Sequence, residues 1–369
     1  MAQHIQRRID AVRQKLTQSG LDAFLVLVAE NRYYLSGYTG EDSQFDESAG
    51  ALIITADALV LATESRFDVQ ARAEAPRYDV VCYKKGLSEE LPSLAKGLGI
   101  RRLGFESVRM TVFQIEKMRA ALNDASTDVS LEPVTDWVEN LRAVKSDDEI
   151  DATRRALAIA EDAFDAALAH IAPGMTERAA AWELEKAMRE LGADALSFPI
   201  ICAAGTNAAL PHAIPGDRII TENAPLLFDW GARRDHYCSD ISRTVILGKP
   251  DATFRKVYGT VRDAQLKAID AIRSGVSSKS VDSIARDTID AAGFAGKFGH
   301  GLGHGTGIAV HEAPRLSPLK DTVLEAGMIV TVEPGVYLPD WGGVRLENQV
   351  VVREDGPEVL NRLGFVEFH

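Results

Sequence analysis

Two segments of the chain follow one template. IAPGMTER (171–178) and IRSGVSSK (272–279) align with Ile171/Ile272, Gly174/Gly275, Thr176/Ser277 and Arg178/Lys279 in register, and each precedes a helix-patterned stretch. Downstream, LLFDWG (226–231) and VTVEPG (330–335) share an apolar strand, an acid, one residue and a glycine. The two offsets, 101 and 104 residues, nearly agree. Self-similarity at a constant offset marks a duplicated structural unit. The C-terminal part of the chain is therefore expected to fold as two related halves about a pseudo-two-fold axis, with a site between them.

The repeat leaves the first third of the chain unexplained. A length of 369 residues already suggests two domains. Ile5, Ile9, Val12 and Leu16 recur at helical spacing, and Gly20 is placed to end that helix. Strand-like runs follow at 23–29, 51–55, 58–62 and 79–83, alternating with helical stretches near 65–75, 87–98 and 111–122. This predicts a small α/β domain over residues 1–136. It holds no catalytic constellation, and Glu64, Arg66 and Glu106 read as structural. Ser146-Asp147-Asp148-Glu149 has the capping-box pattern. It opens a long helix with Ile150, Leu157, Ala160, Phe164, Leu168 and Ile171 on one face, inside an α+β domain over 137–369.

Four acids interrupt apolar strands of that second domain, where an unpaired charge is costly to bury. Asp229 follows PLLF, Asp240 precedes ISRTVIL, Glu333 follows MIVTV, and Glu347 sits in GVRLENQVVV. Asp229 and Asp240 are 11 residues apart and Glu333 and Glu347 14, with turn-like RRDHY and PDWGG between them. Each pair reads as a hairpin presenting two acids. Taken singly, these acids could be surface groups on edge strands or partners of Arg243 and Arg345. If the halves face each other, four carboxylates converge, and such a cluster needs cations. Two divalent ions meet that need and can activate a shared water. With one imidazole added, the site is mostly hard oxygen, which favours Mn²⁺, or Co²⁺, Fe²⁺ or Zn²⁺ by availability. The histidines concentrate in GHGLGHGTGIAVHE (299–312), which carries His300, His304 and His311 among five glycines. Such a stretch is either a solvated loop or part of the metal site.

DWGARRDHYCSDISRT (229–244), GHGLGHGTGIAVHE, TVEPGVY (331–337) and GGVRLEN (342–348) resemble the signature blocks of the pita-bread metallopeptidases. ENRYYLSGYTG (30–40) and VENLRAVKSDDEI (138–150) resemble the N-terminal domain and linker of the prolidase and aminopeptidase P branch. The resemblance implies a creatinase/prolidase-type α/β domain followed by a pita-bread catalytic domain. It implies that Asp229 chelates one metal, Asp240 and Glu347 bridge two, and His304 and Glu333 complete the second. His212, in NAALPHA, and His311 match the family's two active-site histidines that bind no metal, and Arg345 an arginine beside the metals. His300 is left as structural or as a neighbour of the ligands. Asn348 stands where relatives carry Asp.

The implied activity is that of an Xaa-Pro aminopeptidase, a dinuclear exopeptidase cutting the Xaa-Pro bond by a metal-bridging hydroxide. In that scheme His311 steadies the oxyanion, Glu333 shuttles the proton and His212 positions the leaving group. The substrate is a small peptide with proline second. ATESRFDVQARAE (62–74) resembles short bacterial Xaa-Pro aminopeptidases, and Xaa-Pro dipeptidase (prolidase) is the alternative. A metal-free creatinase-like hydrolase or a non-catalytic peptide-binding module would lose ligand positions, and all five are filled here. A homodimer is the family's habit.

Composition narrows the partners. A net charge of −13 argues against nucleic acid. The longest apolar runs, such as AFLVLVA (23–29), are too short to span a bilayer, and the N-terminus has no signal-peptide core. Cys82, Cys202 and Cys238 are widely spaced and read as reduced thiols of a cytoplasmic protein. Cys238 shares a strand face with Asp240, either packed there or near the metals.

This assignment separates the three histidines by experiment. His304→Ala should lose metal, His311→Ala should keep metal and lose turnover, and His300→Ala should do least. Asp240→Ala or Glu347→Ala with full metal content and full turnover would overturn it.

Overall fold

The computed structural model describes residues 2–42 and 48–365, and the chain forms two compact units, Met1–Arg142 and Ala143–His369. The division falls after Arg142 and not at the expected 136/137. Helix Trp137–Ala143 stays with the first unit up to Arg142 for two reasons. The Trp137 ring packs on Phe24 with centroids 5.0 Å apart, and the Arg142 guanidinium donates to Asn31 Oδ1 at 2.8 Å.

In the first unit the amphipathic helix Ala2–Ser19 buries Ile9 and Val12 completely and ends at Gly20, whose φ of 63° suits glycine. Six strands form one mixed sheet in the order Asp79–Cys82, Leu59–Thr63, Ala51–Thr55, Ala23–Val26, Arg102–Glu106, Ser130–Val134. The run read as a strand over 23–29 stops at Val26, because helix Ala29–Ser36 begins three residues later. Glu106 is structural, as expected: its carboxylate accepts from Leu27 N, Val28 N and Asn31 Nδ2 at 2.5, 2.6 and 2.7 Å. It thereby clamps the end of the neighbouring strand.

The second unit carries the duplication. Helices Asp147–Leu168 and Glu177–Glu190 lead into strands Ile201–Ala204, Pro225–Trp230 and Ile241–Ile246, with the middle one in sequence at the centre. Helices Ala252–Asp270 and Ser278–Ile289 lead into Gly303–Gly305, Ile329–Val332 and Asn348–Val352 in the same order. The matched octapeptides do the same job in each half. Gly174 (φ 95°) donates its N–H to Ile220 O at 2.9 Å, and Gly275 (φ 85°) to Leu324 O at 2.8 Å. The Thr176 and Ser277 hydroxyls then cap their helices by accepting from Ala179 N and Ser280 N. Two apolar clusters back the halves, and the one under the first half also takes in Ile329 and Val351 from the second. In the first, Phe164 stacks on Trp230 at 4.3 Å, and the indole N–H donates to Ala160 O at 2.9 Å. Among the described residues, no helix is long and apolar enough to cross a membrane.

The expected hairpins are present but bent. Pro225–Trp230 pairs with Ile241–Ile246, and beyond Trp230↔Ile241 the same register continues in a separate ribbon, Ala232–Arg234 with Tyr237–Cys238. Ile329–Val332 pairs with Asn348–Val352, and beyond Val332↔Asn348 the register continues as Gly335–Leu338 with Gly342–Arg345. Asp240, Glu333 and Glu347 all sit at the bends, where each hairpin leaves its main sheet.

Glycines at two positions let His304 enter this crowded region. A β-carbon on Gly303 would lie 1.9 Å from Thr331 O, and one on Gly305 2.1 Å from Ala313 O. Gly303→Ala should therefore destabilise the protein by about 2–3 kcal/mol through overpacking. Gly299→Ala, which meets nothing within 4 Å, is the control. Equal thermal unfolding midpoints for the two variants would refute the close-approach argument.

Candidate metal centre and substrate cleft

The first hairpin places Asp229 opposite Ser242, so both side chains share one strand face, and Asp240, two residues before Ser242, lies on that face too. The second hairpin supplies Glu333 and Glu347. Ser242 joins the two hairpins. Its Oγ donates to Glu347 Oε2 at 2.8 Å and accepts from Arg345 Nε at 2.9 Å, while the Glu347 N–H donates to Ser242 O at 3.1 Å. His304 completes the group, with Nε2 3.5 Å from Asp240 Oδ2 and 3.4 Å from Glu333 Oε1. Ligand atoms of Asp240, His304 and Glu347 all lie within 4.8 Å of one another. The five residues singled out as ligands are thus together, and Asp240, His304 and Glu347 are nearly inaccessible at 4%, 6% and 1% exposure.

The donor set fits divalent cations. His304 Nδ1 lies 3.0 Å from the Gly305 carbonyl, which cannot donate, so Nδ1 carries the proton and Nε2 presents its lone pair. That lone pair points at two carboxylate oxygens, so three acceptors converge with no proton donor between them. Asp229 Oδ1 and Glu347 Oε1 are buried and have no hydrogen-bond partner. Four acids, two of them with an orphaned oxygen, around one imidazole lone pair make a donor set that could hold divalent cations.

The electrostatics agree. Burial, then Glu347, Asp229 and Glu333, push the Asp240 carboxyl far above its ordinary range. Burial, Glu333 and Asp229 do the same to Glu347. Burial raises Glu333 to about 8, against the pull of Arg345. Burial and His311 lower His304 to about 3, which keeps the ring neutral and ready to ligate. Arg345 sets a guanidinium directly against the acids. It donates to Asp229 Oδ2 at 2.6 Å, to the Tyr337 hydroxyl at 3.0 Å and to Pro211 O at 3.2 Å. Burial opposes its charge, but Tyr337, Asp229 and Glu333 hold it firmly protonated. The edge-strand reading of the acids therefore fails. The salt-bridge reading holds for Asp229 with Arg345, as one part of the cluster.

A cleft of about 720 Å³ opens over this floor. His212, from the first half, and His311, from the second, line it. The His311 ring meets His304 edge-on at 4.3 Å, and burial, Arg315 and His212 lower its pKa. Phe198, Ile200, Pro211 and Val310 form an apolar side, and Arg315 and Lys320 lie on the wall. Arg315 is the cross-strand partner of His304.

Residues around the five also take definite places. His300 is tied to the centre: its Nδ1 donates to Gly301 O, so Nε2 accepts from the Tyr337 hydroxyl at 2.8 Å. That hydroxyl accepts from Arg345, which holds Asp229. Burial and Arg345 lower His300 to about 4. Tyr337 and Ser242 were not singled out in the sequence. The signal was there, since Glu333 and Tyr337, like Asp240 and Ser242, are an even number of residues apart in strand-patterned sequence. Asn348 accepts from buried Arg243 at 3.0 Å, and Arg243 also donates to Glu347 O at 2.6 Å. An aspartate there would pair with Arg243 and not with a metal. The buried Cys238 thiol lies 3.5 Å from Ile308 O and is a packed strand cysteine.

A model of metallopeptidase family M24 matches residues 151–354, and one of the creatinase/prolidase N-terminal domain matches 8–144. An uncharacterized peptidase of Bacillus subtilis (strain 168) is 38% identical over 353 residues, 96% of this chain and 97% of the relative. The solved structure of an Xaa-Pro dipeptidase from Bacillus anthracis superposes with a TM-score of 0.91 at 36% identity, covering 99% of both chains. That of an X-Pro aminopeptidase from Thermotoga maritima MSB8 superposes with 0.89 at 33% identity, covering 98% and 99%.

The raised carboxyls make metal binding and stability depend on pH with a definite sign. Without cations the folded protein holds the Glu333 proton from the ordinary value of 4.5 up to about 8, where the unfolded chain has released it, and Asp240 and Glu347 are raised in the same direction. Stability of the metal-free protein should therefore fall as pH rises across that window. Metal affinity should rise across it, because each ion displaces protons. Unfolding midpoints with and without chelator at several pH values check this. A chelated protein that gains stability as pH rises through the window would contradict it.

Proposed function

This chain belongs to metallopeptidase family M24, and on that premise we propose that it hydrolyses the bond between an N-terminal residue and a following proline. The observation that carries the reading is the convergence of buried Asp240, His304 and Glu347 with half-buried Asp229 and Glu333 at the floor of the cleft. These residues would hold two divalent ions, whose four positive charges match four carboxylates. Mn²⁺ suits so oxygen-rich a set. Bound ions of this kind lower the pKa of water and polarise a carbonyl.

The remaining work falls to the chain's own groups. Glu333 lies between the His304 imidazole and the Thr331 hydroxyl, which donates to Oε1 at 3.2 Å. A carboxyl raised by burial can take a proton from the attacking water and pass it to the proline nitrogen. His311, kept neutral by its surroundings, can donate a hydrogen bond to the carbonyl oxygen as charge builds there. His212 faces the cleft from the other half and can steady the proline side. Arg345 fixes both Asp229 and the carbonyl of Pro211, the residue before His212. Proline offers no amide N–H, so recognition must rest on shape, and the apolar side formed by Phe198, Ile200, Pro211 and Val310 supports that role. The acidic floor suits a substrate amine, which favours cleavage at the N-terminus.

Arg315 and Lys320 weigh toward dipeptides, because two cations on the wall suit a carboxylate close to the scissile bond. Aminopeptidase action on longer peptides is the second reading. It is favoured by a depression lined by Trp182 and Leu196 that shares Phe198, Pro199, Ile200 and Pro215 with the cleft.

Mn²⁺-loaded protein should cleave Ala-Pro and lose activity with chelator. Arg315→Ala should raise KM for Ala-Pro about tenfold with little change in kcat. Equal turnover of Ala-Pro-Ala and Ala-Pro would favour the second reading, and no turnover of any Xaa-Pro peptide by metal-loaded protein would refute both.

A further inference from the structure

Two motif residues are not used by the proposed reaction, although both belong to the signature stretches. Lys145 lies in VENLRAVKSDDEI and Glu312 closes GHGLGHGTGIAVHE. They meet in the interior of the second unit. Lys145 Nζ is 3.0 Å from Glu312 Oε2, with side chains 1% and 4% exposed. We propose that this buried ion pair is a positioning device for the loop that carries His304 and His311.

The loop between the two histidines is held from inside by the glutamate. Glu312 Oε1 accepts from Ala309 N at 2.9 Å. Gly307 lies so near that a β-carbon on it would come within 2.7 Å of Oε2. Gly307 donates its N–H to Ala309 O at 3.0 Å and accepts from Cys238 N at 2.8 Å, which closes the turn. The lysine is itself anchored: its N–H donates to Gly327 O at 3.0 Å, and Nζ also donates to Ala143 O at 3.3 Å.

Each end of this arc is an active-site imidazole. At its start, the Gly305 carbonyl holds His304 Nδ1–H and so aims Nε2 at Asp240 and Glu333. At its end, His311 directly precedes Glu312 and stacks edge-on against His304. A shift of the Glu312 carboxylate therefore moves the turn at 307–309 and rotates His311 off the cleft. Desolvating two charges makes a poor way to gain stability, since apolar replacements of such pairs often do as well. A carboxylate that must hold one amide and one ammonium at fixed distances does what apolar groups cannot.

The test uses Glu312→Asp, Lys145→Arg and the double variant Lys145→Met/Glu312→Leu. Glu312→Asp keeps both charges, so no ammonium is left unpaired, but withdraws the carboxylate by one methylene from Ala309 N. It should lower kcat for Ala-Pro at least about tenfold with KM nearly unchanged, as expected of misplaced catalytic groups. It should also alter the visible absorption of the Co²⁺-loaded protein, which reports the ligand geometry at His304. Lys145→Arg should keep both signals. The double variant should unfold near the wild-type midpoint yet share the kinetic and spectroscopic defects of Glu312→Asp. A smaller fall in kcat for Glu312→Asp, or a double variant with wild-type spectrum and turnover, would overturn the proposal. The turnover arm rests on the Xaa-Pro reading. If wild-type protein cleaves no such peptide, that reading fails, and the Co²⁺ spectra still decide the role of the pair.

Discussion

Four carboxylates share a space from which water is nearly excluded. Like charges at such distances repel strongly once the surroundings are protein and not solvent, and burial alone penalises each anion. The protein side answers with the Arg345 guanidinium on Asp229 and the hydroxyls of Ser242 and Thr331 on Glu347 and Glu333. These leave oxygens of Asp229 and Glu347 without partners. The surplus of negative charge is what makes the centre a cation site, and it explains the neighbouring features. His304 is kept neutral, its Nδ1–H is donated to the Gly305 carbonyl, and Tyr337 and His300 back the arginine that holds Asp229.

Converging so many acids is a problem of backbone geometry, and duplication solves it. Each half builds a helix pair and a three-stranded core, then extends a hairpin that bends out of its sheet. The acids lie at or beside the bends. Two copies of that device, brought face to face through Ser242, Glu347 and Arg345, bring all four acids to one place. The seam between the halves gathers the four acids in one place, while other buried charges, such as Glu106 and the Lys145–Glu312 pair, are satisfied by local partners.

Much of this was legible in the chain. The offset between IAPGMTER and IRSGVSSK pointed to a duplicated unit, and the structure shows why the octapeptides match: glycine at positive φ followed by a hydroxyl cap is a local device written in a few residues. The acids in apolar strands stood out because the surrounding pattern leaves them no solvent. Other features depend on partners distant in sequence. The boundary moved because Trp137 and Arg142 are held by partners distant in sequence. His300, expected as structural or as a neighbour of the ligands, reaches the centre through Tyr337, a residue 37 positions away.

By itself the sequence determined the duplication, the ligand chemistry and the apolar frames that present it, since each is encoded by local spacing and residue type. Only the tertiary structure decided which contacts tune the centre. Arg345 could have paired with any acid, and it took Asp229. Lys145 and Glu312 lie 167 residues apart, and no periodicity links them, yet they form one of the most buried ion pairs among the described residues. Such pairings depend on which groups lose water together. That is settled when the halves of the domain close on each other, and no stretch of the chain carries it alone.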